Sequence, residues 1–138
     1  MMVSEAMNRA VVTIEPDDTV EAAVEIARAT GAEHLLVLDE QTLVGIICAC
    51  DLRAAVPGDT VSECMSLPVV TVRPDTSLEE VALTMEECAV GCIPVALGGL
   101  ILGTVSDDEL VRCGMGASHP HRHCHRHRLR RSAPPAPN

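Results

Sequence analysis

Apolar residues in this chain fall into blocks of two kinds. Val20, Ala23, Val24 and Ala27 recur at i, i+3, i+4 and i+7, a stripe on one face of a helix. Two short runs follow, LLVL and LVGII, apolar throughout, as strands buried on both faces are. The same order returns later. Leu78, Val81, Ala82 and Met85 mark a second helix, and IPVAL and LILGTV a second strand pair. Before each helix, VVT and a Pro-Asp turn at Pro16 or Pro74 predict a short extended piece. Asp18 with Glu21, and Thr76 with Glu79, predict capping boxes at the helix starts. A final short helix is expected near Asp51 in the first half and near Glu109 in the second. Each half therefore reads β-α-β-β-α.

Shifting the chain by 58 positions brings VSEAM (3–7) onto VSECM (61–65), VVTIEPD onto VVTVRPD, and Gly45 and Leu52 onto Gly103 and Leu110. Residues 3–52 and 61–110 share thirteen identities without a gap, where chance would give roughly three to five. The chain is two copies of one unit, expected at 1–58 and 59–116 with PGDT (57–60) as the hinge. The fold class expected is mixed α/β (α+β): two repeats packed sheet to sheet about a pseudo-two-fold axis.

The helix-ending VSEAM and VSECM, the VVT strands with their PD turns, IPV at 93–95, and a glycine-to-acid pattern closing each repeat give the chain a family likeness. In that order, doubled at one spacing, they resemble a tandem pair of CBS domains, the modules named after cystathionine β-synthase, over residues 2 to about 113. The resemblance implies a homodimer and a stand-alone regulatory module that modulates a partner protein, not an enzyme. It also implies an adenine nucleotide (AMP, ATP or S-adenosyl-methionine) in clefts between the repeats. An acid at the start of the last helix, Asp51 or Glu109, would accept from the ribose hydroxyls. A hydroxyl three residues earlier, Ser106, would reach ribose or phosphate. Adenine would read backbone near Thr13 and Ile14, or Thr71 and Val72, with Pro94 beside it where the first copy has Leu36. GIICACDL (45–52) aligns with GTVSDDEL (103–110), so Cys48 stands where the hydroxyl belongs, and Glu109 is one methylene longer than the family's aspartate. The copy containing Ser106 and Glu109 is therefore expected to hold the ligand. Two plainer readings stand beside these: Ser106 with Glu109 as a capping box, and Asp51 as a first-turn acid favoured by the helix dipole.

Composition narrows the chemistry. The chain has no Phe, Tyr or Trp, so no ring is available to stack on a base. It has no lysine, and five of its ten arginines lie beyond residue 118, leaving five arginines against twenty acids before that point, a net of −15. Such a body repels nucleic acid and anionic lipid, and a small anion would need local backbone donors and helix termini to hold it. No apolar run reaches the roughly 18 residues that span a bilayer, and a soluble cytoplasmic protein is expected. Cys48 and Cys50 also admit a CxC metal or redox reading, which would need further ligands from elsewhere. After Gly116 the sequence turns polar and basic, and residues 117–138 are expected to be disordered. His119, His121, His123, Cys124, His125 and His127 lie within nine residues there and could gather nickel, copper or zinc. That gives an alternative function: a metal-binding protein working through its tail, with the repeats as a dimerisation scaffold.

Overall fold

The helices and strand pairs form where the apolar periodicity places them, with ends shifted by one or two residues. The computed structural model describes residues 1–67 and 69–115. The histidine-rich segment, with the disorder and metal ligands expected of it, lies outside the described residues. Two compact units result. Unit I is Val12–Val69, and unit II joins Met1–Val11 to residues 70–115.

Unit I contains β1 (Thr13–Ile14), α1 (Val20–Thr30), β2 (His34–Asp39), β3 (Thr42–Cys48), α2 (Ala49–Ala54) and α3 (Val61–Cys64). β1 runs parallel to β2, and β2 pairs antiparallel with β3, bringing Leu35 opposite Ile47. The cap of α1 is Thr19, whose hydroxyl accepts from the Ala22 amide at 3.1 Å. The expected Asp18 instead closes the preceding turn, accepting from the Glu15 amide at 3.0 Å. α1 ends at Gly31, whose φ of 74° is the left-handed conformation that a residue without Cβ adopts at low cost. Ile14, Val20, Leu35, Val37, Ile47, Leu52 and Val61 form the core.

Unit II contains α4 (Leu78–Cys88), β4 (Cys92–Leu97), β5 (Leu100–Ser106) and α5 (Asp107–Arg112). α4 is capped by Ser77, one residue beyond the expected Thr76. β4 and β5 are antiparallel, with Ile93 opposite Val105. The counterpart of β1 is a single parallel bridge between Val72 and Val95. Val3, Met7, Leu78, Val81, Met85, Ile93, Val95, Val105 and Leu110 form a separate core.

The units are offset from the sequence copies by one segment. Residues 1–11 open the first repeat but pack on the second: the Val3 amide donates to Thr76 O, Leu78 to Met1 O, and Asn8 and Thr104 exchange amide bonds at 2.8 and 2.9 Å. Residues 59–67 do the same for the first repeat, with Val61 donating to Asp18 O, Val20 to Asp59 O, and Ser66 and Ile46 exchanging bonds. This explains two of the shared identities. A Cβ on Gly45 would collide with the Met65 side chain, and one on Gly103 would come within 2.7 Å of the Asn8 carbonyl and 2.9 Å of Met7 Sδ. The methionine of each VSExM segment lies over the glycine of the sheet that it closes. Among the described residues, no helix is long and apolar enough to cross a membrane.

Candidate functional site

In both units the helix that follows the antiparallel strand pair, α2 in unit I and α5 in unit II, starts directly from a strand, and a carboxylate three residues into it accepts from the cap residue's own amide. In unit II the Ser106 amide donates to Glu109 Oε1 at 2.7 Å, and the Ser106 hydroxyl donates to the same oxygen at 2.6 Å. The other oxygen, Oε2, lies 3.7 Å from Arg112 Nη2. Glu109 is buried, at 6% exposure. The capping box is thus formed, and it uses one carboxylate oxygen. A carboxylate offers about four lone-pair positions, so Oε2 keeps acceptor capacity.

In unit I the Cys48 amide donates to Asp51 Oδ2 at 3.3 Å, and both residues are buried. Burial, reinforced by the Asp51 charge, pushes the Cys48 thiol up to about 12. At neutral pH it is a protonated, unreactive thiol, the opposite of what a redox or metal-binding cysteine needs. Among the described residues there is no group of three or more His, Cys, Asp or Glu suited to a metal ion.

The backbone positions expected to read adenine divide in two. The Val72 amide donates to Pro94 O at 3.1 Å and its carbonyl accepts from Ala96 at 2.9 Å, so both groups serve the sheet. Thr71 is exposed, and strand alternation turns its amide and carbonyl away from β4. Pro94 is buried within β4, opposite Thr104. Thr13 and Ile14 pair with Leu36 and Val37 and, like Asp51, belong to unit I.

A pocket of about 540 Å³ opens in unit II between residues 6–10 and α5, lined by Glu109, Arg112 and Arg9 among others. Arg9 is steadied by a 3.1 Å bond from Nη2 to the Ser4 carbonyl. Neither arginine figured in the sequence reading. Arg112 stands three residues after Glu109, a spacing that signals a helical ion pair, but Arg9 is a hundred positions away and only the fold brings it here. At the 58-residue offset, unit I has Leu67 in place of Arg9 and Ala54 in place of Arg112.

The CBS domain model matches residues 3–58 and 61–116, nearly the whole described chain. The chain belongs to the CBS domain family. A curated relative is the homoserine O-acetyltransferase of Methanosalsum zhilinae, 31% identical over 112 residues, covering 78% of this chain and 23% of that protein. The chain thus spans about a quarter of the length of the curated relatives that it matches first. Among solved structures, the CBS domain pair of protein MJ0100, in complex with 5'-methylthioadenosine and S-adenosyl-L-methionine, superposes with a TM-score of 0.77 at 25% identity, covering 84% of this chain and 97% of that one. CBSX2 in complex with AMP gives 0.72 at 25% identity, covering 83% and 96%. The paired CBS repeats and the mixed α+β fold expected from the sequence are present.

Proposed function

We propose that this CBS pair is a regulatory module that binds an adenine nucleotide in the unit II pocket and thereby changes the behaviour of a partner protein. The observation that carries this reading is Glu109: a buried carboxylate at a pocket wall, with one oxygen fixed by Ser106 and the other facing Arg112. A ribose presents two adjacent hydroxyl donors, and Oε2 is an acceptor suited to them. Thr71, with its backbone turned away from β4, is the nearer fit to an adenine edge than Val72. The AMP, S-adenosyl-methionine and methylthioadenosine held by the solved CBS relatives support the ligand class. Binding would be felt beyond the pocket, because its wall at residues 6–10 continues at Val11 into Val12, the first residue of unit I.

The test is calorimetry of the full chain with AMP, ATP and S-adenosyl-methionine, in wild type and Glu109→Gln. Glutamine still offers an acceptor to the Ser106 amide, so the cap survives, but the second anionic oxygen is gone. Affinity is expected to fall about tenfold or more, and Asp51→Asn in unit I to leave it unchanged. Equal affinity in wild type and Glu109→Gln would overturn the assignment.

A further inference from the structure

The pocket carries information about which adenine ligand it takes. Residues 1–115 contain five arginines in a body bearing twenty acids, and two of the five, Arg9 and Arg112, line this one pocket. A long-range field of that sign opposes any anion, so an anion binds only where local cations outweigh it. Neither guanidinium is exhausted by its present contacts. Arg9 spends Nη2 on the Ser4 carbonyl, and the remaining donors of its fork are available to a ligand. Arg112 makes a 3.7 Å ion pair with Glu109 and its side chain is 71% exposed, so it can turn once ribose hydroxyls take over Oε2. The equivalent positions of unit I, Leu67 and Ala54, carry no charge. The pair is a property of one repeat and is not needed for the fold that both repeats share.

We infer that the unit II pocket selects phosphorylated adenine nucleotides over adenosyl ligands without phosphate, with Arg9 and Arg112 holding the phosphate. This rests on the adenine reading above and adds the ligand's charge to it. Guanidinium forks match phosphate oxygens in charge and geometry. In S-adenosyl-methionine the group attached to the 5' carbon is a sulfonium cation, which would face two like charges. In methylthioadenosine it is a neutral thioether, which gains nothing from them.

The experiment titrates the full chain with AMP, ADP, adenosine, methylthioadenosine, S-adenosyl-methionine and pyrophosphate, at fixed salt, by calorimetry. The variant is Arg9→Leu with Arg112→Ala. It imports residues that unit I already carries at these positions, and its folding is verified by far-UV circular dichroism. AMP and ADP are expected to bind about 10- to 100-fold more tightly than adenosine or the two sulfur ligands. The double variant should bring AMP down to the affinity of adenosine while leaving adenosine unchanged. Binding of S-adenosyl-methionine or adenosine as tight as that of AMP in wild type, or an AMP preference that survives in the variant, overturns the inference. Pyrophosphate binding that the variant abolishes, with no adenine ligand bound, would keep the two arginines as anion readers and overturn the adenine reading instead. Silence toward every ligand overturns both.

Discussion

The two units start the helix after the strand pair, α2 and α5, with the same backbone device and different side chains. In unit II a hydroxyl and an amide converge on one oxygen of Glu109 at 2.6 and 2.7 Å. In unit I the shorter Asp51 reaches the Cys48 amide at 3.3 Å, and the thiol beside it remains protonated. Both helices form, so the fold requires only a carboxylate at the third helical position. Serine against thiol, and Arg9 and Arg112 against Leu67 and Ala54, are differences that the architecture tolerates. A repeat relieved of one constraint can carry different chemistry at the same place.

The cores differ in a similar way. α4 fills its side of unit II with Val81 and Met85, both 0% exposed. The matching residues of α1 are Ala23 and Ala27, and an open groove of about 430 Å³ runs past Ala27, Ala32 and Leu52. Met85→Ala is therefore expected to cost about 3 kcal/mol. Ala27→Met projects into the groove and should change stability by less than about 0.5 kcal/mol. Without Trp or Tyr in the chain, urea unfolding followed by far-UV circular dichroism is the measurement. Equal costs in the two units would mean that the groove closes in solution.

A second contrast lies at the two glycines. The obstacle to a Cβ on Gly45 is the flexible Met65 side chain, whereas on Gly103 it includes the backbone oxygen of Asn8. Gly103→Ala should cost about 2 kcal/mol and Gly45→Ala about 1 kcal/mol, by the same melts. The reverse order would show that the Asn8 backbone yields more easily than a methionine side chain.

The thiol gives a pH signature to unit I. Its folded value of about 12 lies above the ordinary 9.0. Below pH 9 the thiol is protonated whether folded or not, and its contribution is fully present. Above pH 9 the unfolded chain ionises first, so stability falls as pH rises toward 12, by about 1 kcal/mol at pH 10. With no lysine or tyrosine in the chain, little else titrates there apart from other thiols. The difference between wild type and Cys48→Ser isolates the effect: the serine variant should lose less stability between pH 8 and pH 10. Parallel loss in both proteins would place the effect in other thiols.

The smallest effect concerns the helix ends. Gly31 ends α1 at φ 74°, and Ala89 ends α4 in the same left-handed region at φ 56°. Ala89→Gly should stabilise by about 0.5–1 kcal/mol, and Gly31→Ala should destabilise by about as much. A thermal melt that moves in the same direction for both would contradict this symmetry.

The helices, the strand pairs and the period of 58 were legible because apolar periodicity is local and the repeat states it twice. The caps moved one residue, to Thr19 and Ser77, because several hydroxyl and acid residues sit together and turn geometry chooses among them. Ser106 with Glu109 was legible at its i, i+3 spacing. The exchange of residues 1–11 was not, because VSExM fits either sheet equally well on paper: the same glycine awaits it in both. For the same reason Arg9 could not be placed beside Glu109. A pattern that repeats identifies partners by type and leaves the pairing to three dimensions.

The exchanged segment also sets an order of events during synthesis. Unit I is complete in outline once residue 67 or so has emerged, since all its pieces are consecutive. Unit II is not, because Met1–Val11 leaves the ribosome well before its binding surface, which runs from Pro74 to Thr104. Throughout elongation Val3 and Met7, later core residues of unit II, have no native surface to cover them. The first sheet offers them a near-identical berth, until VSECM arrives to claim it. Vectorial folding therefore begins with a mispairing hazard written into the repeat, and a chain with the two VSExM segments interchanged would show how far sequence differences between them resolve it.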